Sequence, residues 1–455
     1  MGNPRKTWRG LSKGVVYLGV LLLVVVSSAC SPHRDLYPKI DRLAVAGKYA
    51  DAAQLVKANK NKYGERNEVL YNLDLGVMSH YAGEYEASNK AFEEAERIMD
   101  DLFTKSISGE VGAFLSNDNT LPYRGEDFES VVVNLYRALN YAKLKDVDAA
   151  LVEARKVNEK LTYINSKYPA GKKNVYREDG FARLLAGVLY EMGGTRDDLN
   201  DAFISNRLAA QTYDKEFAKL YHTPAPDMLA SNLVTTAIFM GGQELSEAKK
   251  KYPAIKPLSP QEKRAKAQVV FVHFAGRSPQ KVEGAIMAHM PDGNLFRIAF
   301  PLYRSRGYSI GGSRIKVDGE PALSLDVAEP VGAIAIQNLK DHKDRITSKA
   351  VARAITKYAA NRALQASVRG RDSGTRVLAY IAGNVAAVAS EQADLRAWQT
   401  LPDRILIGAL LLEPGKHKLS AEFSHRSGGT VFTRELGEFE LKAGQTEFVI
   451  LHTNS

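Results

Sequence analysis

The sequence predicts an α+β multidomain chain: helical repeats first, then a mixed α+β domain, and a small antiparallel β sheet or sandwich last. Three observations predict it. From Asp41 to about Tyr252 the apolar residues recur at steps of three and four, the period of a helix face. Pro253, Pro257 and Pro260 then break the pattern. Beyond them the apolar period falls to two, and Gly-containing turns separate short runs.

The first 29 residues are set apart from the fold. Arg5, Lys6, Arg9 and Lys13 precede an apolar run from Val15 to Val26. That run is well short of the roughly 20 residues a spanning helix needs. Ser27, Ser28 and Ala29 follow, and then Cys30, the only cysteine of the 455 residues. Basic, apolar, small, Cys is the layout of a bacterial lipoprotein signal peptide. It predicts cleavage after Ala29, a lipid anchor on Cys30 with acyl chains such as palmitate, and a tether over 30–40. Ser27 stands where such signals usually carry Leu. Ser31, rather than Asp, after the cysteine favours the outer membrane of a Gram-negative envelope, facing the periplasm. A single lipidated cysteine leaves no disulfide. Removing the leader takes four basic residues and lowers the net charge from +10 to about +6. That excess is mild and implies no nucleic-acid partner.

The helical domain is expected over 41–252. Tyr85, Ser88, Phe92, Ala95 and Met99 share one helix face, as do Val147, Ala150, Ala154, Val157 and Leu161. The turn Ala46-Gly47-Lys48-Tyr49 recurs as Ala82-Gly83-Glu84-Tyr85, and more weakly as Leu144-Lys145-Asp146-Val147. With Leu75-Gly76 before the second turn and Phe92 and Ala95 after it, this unit resembles a tetratricopeptide repeat. In such a unit, small residues let two helices cross closely and large ones fill the gap. A fourth pair is expected through Phe181–Leu189 and Asp201–Leu220, with a polar insertion from Thr104 to Glu126 interrupting the array.

Residues 253–267 read as a linker and 268–402 as the mixed domain. Gln268–Phe274, Asn294–Phe300 and Val331–Ile336 read as strands. Ile346–Val368 and Thr375–Ala397 read as a helical hairpin packed on the sheet. The segment 403–455 reads as short strands between Gly turns.

Chemistry is sparse. Gly307-Tyr308-Ser309-Ile310-Gly311 matches a nucleophile-elbow pattern, but turn and strand residues follow where a helix is required. The nine histidines form no metal-ligand spacing, although His273 and His289 could converge. No catalytic residue, cofactor or metal is expected. Asp394, Arg396 and Trp398 read either as a packed lock on a helix end or as a docking surface, since Trp and Arg are enriched at binding hot spots. Lys349, Arg353 and Lys357 share a helix face that is either solvated or in contact with anionic lipid or glycan. The loop Arg277–Lys281 is a candidate ligand lip.

Four stretches look familiar as a set: Gly125–Glu129 leading to Ala138–Tyr141 and Val152–Asn158; Lys349–Ala354 with Lys357-Tyr358; Ala393–Pro402; and Leu412–His417. In that order they resemble a poorly characterised family of bacterial envelope lipoproteins with an N-terminal repeat region. The resemblance implies an envelope lipoprotein and carries no catalytic residue. It points to cell-wall or envelope assembly. The expected function is a lipid-anchored periplasmic scaffold, bound to the membrane through its lipid and to envelope proteins of cell-wall synthesis or secretion through its repeats. The alternatives are a peptidoglycan-acting enzyme using Glu126, Asp127 and Glu129, or a small-ligand-binding lipoprotein with an enclosed pocket near Phe271–Lys281.

Overall fold

The computed structural model describes residues 33–108, 118–167, 176 and 178–454. Ser27, Ala29 and Cys30 lie outside them. The helical half contains α1 (His33–Val45), α2 (Tyr49–Ala58), α3 (Glu68–Tyr81), α4 (Tyr85–Ser108), α5 (Asp127–Lys143) and α6 (Val147–Lys167). It continues with α7 (Gly180–Gly193), α8 (Arg196–Thr212), a π-helical segment (Tyr213–Tyr221), α9 (Asp227–Met240) and α10 (Gly242–Lys251). The tether expected through residue 40 ends earlier, because Leu36, Tyr37 and Ile40 on α1 are buried in the core.

The repeated turns fold alike. Gly47, Gly83 and Lys145 all have positive φ, at 71°, 80° and 62°. In each turn this residue's N–H bonds the carbonyl three back, and the next N–H bonds the one five back, as in Gly83 to His80 and Glu84 to Ser79. Both bonds satisfy carbonyls orphaned at a helix end. Gly adopts this conformation freely, whereas a side chain in the left-handed region costs about 1–2 kcal/mol. Lys145→Gly should therefore stabilise the chain by roughly 0.5–1 kcal/mol, less than the full strain because Gly gains unfolded-state entropy. Urea unfolding checks it, with Lys145→Ala as the unchanged control.

Close helix contact is built from the small and large residues expected. A Cβ on Gly76 of α3 would lie 2.6 Å from the Phe92 ring of α4. Ser88 of α4 donates to the Gly76 carbonyl at 2.8 Å. Thr195 and Asp198 cap α8 reciprocally, fixing where that helix starts.

The second half contains ten strands: β1 (Ala267–Ala275), β2 (Gln280–His289), β3 (Leu295–Arg304), β4 (Ile310–Val317), β5 (Glu320–Ser324), β6 (Asp326–Glu329), β7 (Arg404–Leu412), β8 (Gly415–His425), β9 (Thr430–Leu441) and β10 (Thr446–Thr453). One sheet runs β10-β1-β7-β6, with β10 parallel to β1. A second runs β5-β4-β8-β9, and β2-β3 stand as a separate hairpin. Alternation along β1 splits its side chains. Val270, Val272 and Phe274 join the helical core, while Val269, Phe271 and Ala275 join the core shared with the second sheet. The result is three layers: helices, sheet, sheet. Strands from 268–402 and from 403–455 alternate in the first sheet and pair through β4 and β8 in the second, so no domain boundary falls between those segments.

Three further helices are α11 (Val331–Asp341), α12 (Lys343–Ser367) and α13 (Ser373–Ala389). Val331–Ile336 is thus a helix rather than the strand expected. A short apolar run fits either element. Here Val331, Gly332, Ile334, Ala335 and Asn338 are the buried positions, a helical spacing. Gly332 also lets the helix start approach Asp403, whose Oδ1 would be 2.1 Å from an added Cβ. The second helix of the expected hairpin ends at Ala389, and the chain to Ala397 leaves helical geometry to cross to the array.

One core joins array and sheet. The ring of Tyr136 on α5 stacks on Phe274 of β1 at 5.0 Å and on Phe92 at 5.4 Å. Trp398 packs edge-on to Phe92 at 5.9 Å.

Candidate functional site

A polar groove of about 470 Å³ opens between α4, α5 and α6. Its floor is Arg137, which ion-pairs with Glu96 at 2.5 Å and Glu153 at 3.0 Å. Asn134, one turn back on α5, donates to both carboxylates at 3.0 and 2.6 Å. Lys160 reaches Glu96 at 2.5 Å, and Lys156 reaches both acids at 3.4 and 3.3 Å. Burial alone would push the Glu96 carboxyl up, but Lys160, Asn134 and Lys156 hold it at about 2. The carboxylate is therefore ionised, and Glu96, Arg137 and Glu153 are buried. Glu93, Arg97, Asp100, Glu159 and Tyr163 form the rim. Such a surface presents both signs of charge, with its floor held by Arg137 bridging two carboxylates.

Sequence reasoning missed this set. Its signal is the three- and four-residue spacing of Glu153, Lys156 and Lys160 on one helix, matched by Asn134 and Arg137 on another.

The candidate docking residues are spent internally. Trp398 is 1% exposed, and its indole N–H donates to Thr400 at 3.0 Å. Arg396 holds Asp394 at 2.7 Å and donates to the Leu121 carbonyl at 2.8 Å. The docking alternative is thereby corrected to a lock between array and sheet. Arg353 is 4% exposed and points at Glu391, which Lys357 also reaches at 2.6 Å. Of that trio, Lys349 is half-buried on α12. Arg353 is therefore not a surface contact.

The carboxylates of the enzyme alternative behave as an unequal pair. Burial and the neighbouring Glu126 charge push Glu129 up to about 7. Burial would raise Glu126 too, but Lys281 holds it at about 2. Separated values of this kind suit acid–base chemistry, yet the oxygens are occupied. Glu129 accepts from Tyr123 at 2.7 Å and from the N–H groups of Glu126 and Trp398 at 3.0 Å. Glu126 accepts from Lys281 at 2.8 Å and Asn338 at 3.0 Å. Asp127 is half-buried in the first turn of α5. The pair clamps elements together.

His273 is fully buried between Ser313 and Thr453, at 3.0 and 2.9 Å, and burial pushes its imidazole down to about 3. His289 is exposed at the far end of β2, so the two do not converge. The Gly307–Gly311 segment leads into a strand, not a helix. It does border a second opening of about 520 Å³ lined by Gly311, Asp403, Arg404, His425 and Arg426. There Arg426 stacks on Tyr308 at 4.1 Å, and Tyr308 donates to Asp403 at 2.6 Å. Among the described residues no cluster of three metal-ligating side chains occurs, and no helix is long and apolar enough to cross a membrane. No protein-family model matches the chain, and no curated protein matches it at a significant level.

Proposed function

We propose that the protein is a lipid-anchored scaffold or assembly factor of the bacterial outer membrane, facing the periplasm and binding envelope proteins through its helical array. The observation that carries this reading is the groove over Arg137, Glu96 and Glu153. Its open shape and mixed charge suit an extended protein segment with side chains of both signs. The repeated turns and the Gly76–Phe92 crossing support a tetratricopeptide-like array, an architecture whose stacked units leave long surfaces for partners. The leader ending in Cys30 supports the anchor. Cell-wall synthesis and secretion components are the partners this placement favours.

The test is in-cell crosslinking from a photoreactive residue at Tyr163, on the groove rim, followed by mass spectrometry. A reproducible envelope protein is expected, lost with Lys160→Glu. Adducts that ignore Lys160→Glu, together with turnover of purified cell wall, would replace the scaffold with the enzyme. A second reading, capture of a small anion, is favoured by Arg404 and Arg426 beside Tyr308. Calorimetric titration with inorganic phosphate, lost in Arg426→Ala, would support it.

A further inference from the structure

The hairpin β2–β3 and the helices α12 and α13 form an arm whose apolar surface is left partly uncovered. Cross-strand pairing sets Val282 opposite Leu302, Gly284 opposite Phe300, Ile286 opposite Ile298 and Ala288 opposite Phe296. Alternation places all eight on one face. None is charged or polar. Gly284 is required there, because Phe300 and Leu302 lie over it, 2.8 and 2.9 Å from an added Cβ. The helices take the opposite face. Arg297 donates to the Val388 carbonyl at 3.1 Å, and the Leu295 N–H donates to Asn384 at 2.7 Å.

Ile286 remains 57% exposed and Leu302 48%. On α13, Val377, Ile381 and Val385 recur at steps of four and are all exposed. Nine of the fifteen large exposed apolar side chains among the described residues belong to this arm. A concentration of that kind marks an interaction surface rather than scatter.

Charge identifies what covers it. The arm, residues 280–304 and 343–391, contains twelve Lys and Arg and five Asp and Glu, a net +7 against +10 for the entire chain, with Arg353 and Lys357 paired to Glu391 and Arg362 to Asp292. The leader holds four of the remaining positive charges, so the rest of the chain is close to neutral. Two copies meeting through their arms would set +7 against +7, which disfavours a symmetric dimer. Exposed apolar side chains on an arm of net positive charge fit an anionic lipid surface instead.

We infer that this arm docks on an anionic bilayer, its apolar side chains at the headgroup–acyl boundary and its cations on the headgroups. The hairpin lies on the membrane and does not span it alone, since the outer edges of β2 and β3 would carry unpaired backbone groups into hydrocarbon. This contact is independent of a lipid at Cys30.

Flotation separates the two. The chain from Ser31 onward, which cannot carry the Cys30 lipid and retains the whole described fold, is mixed with vesicles of roughly three parts phosphatidylethanolamine to one part phosphatidylglycerol. It should float with them, bind phosphatidylcholine vesicles much more weakly, and detach as salt rises. The double substitution Val377→Asp with Ile381→Asp lies on the exposed face, so the fold should persist by circular dichroism while partitioning falls about tenfold or more. Failure to float with either vesicle, or flotation indifferent to the double substitution, would overturn the inference. So would concentration-dependent self-association in sedimentation that the same substitutions abolish without vesicle binding, which would assign the face to a second copy.

Discussion

Replacing Trp398 by Ala should cost the folded chain about 3–5 kcal/mol, the range for emptying a buried aromatic site. The indole is fully enclosed, against Phe92 of α4 and Tyr136 of α5, on a segment that leads into the sheet. The loss extends to polar neighbours. Trp398 donates to Thr400, and Thr400 donates to Asp74 at 2.7 Å. Asp74 also accepts from Tyr37 and Tyr63 at 2.7 and 2.9 Å, so one carboxylate gathers α1, α3 and the crossing segment. Burial pushes that carboxyl up to about 6, and the three hydroxyls resist the shift. Loosening Trp398 exposes this cluster and uncouples array from sheet. Urea unfolding should show a lower midpoint and a broader transition. The chain has two tryptophans, Trp8 and Trp398, so the chain from Ser31 onward reports this site alone by fluorescence. Its emission should be blue-shifted and resistant to acrylamide. Ready quenching in the folded protein would return Trp398 to the surface and restore its docking role.

The ease with which the sequence could be read follows the range of the interactions involved. The turn at Gly83 is local, and its copies at Gly47 and Lys145 share hydrogen bonds because five or six consecutive residues decide them. The Gly76–Phe92 crossing joins neighbouring helices and is visible as a small residue facing a large one. The sheets are not local. β1 pairs with β10 across residues 268 and 446, and nothing in either strand specifies the other. This is why a separate C-terminal sandwich was the natural expectation. Val331–Ile336 is too short for its period to separate strand from helix. Asn294–Phe300 has the alternation of a strand, yet that pattern alone cannot say which face is covered. At the groove, Glu96, Arg137 and Glu153 come from three helices, and only folding brings them together. Asp394, Arg396 and Trp398 stand out by composition alone. Composition does not distinguish a residue that binds a partner from one that binds its own chain.

Lys281→Met should cost about 3 kcal/mol at neutral pH, because it leaves Glu126 ionised and without its cation in a desolvated site. Lys281 is 7% exposed at the root of the arm, 2.8 Å from Glu126 at the start of α5. Burial opposes the charge on Lys281, but Glu126 raises its pKa well above the usual lysine range. Glu126 is held at about 2, below its unfolded value of about 4.3. Its contribution is therefore fully present above pH ~4.3 and is lost as pH falls through about 2. The lysine contribution is present below its unfolded value of about 10.4 and is lost as pH rises through its higher folded value. In Lys281→Met, burial instead raises the Glu126 pKa, so the variant loses stability as pH climbs from acid toward neutral. The gap between wild type and variant should be widest near neutral pH and close toward pH ~3, where Glu126 in the variant is protonated. Adding Glu126→Gln to Lys281→Met should recover the loss to within about 1 kcal/mol, since a neutral pair carries no uncompensated charge. Urea unfolding of the three proteins across pH measures this. A Lys281→Met deficit that stays constant with pH, or a double variant no better than the single, would show that the lysine stem packs the joint and its charge does not hold it.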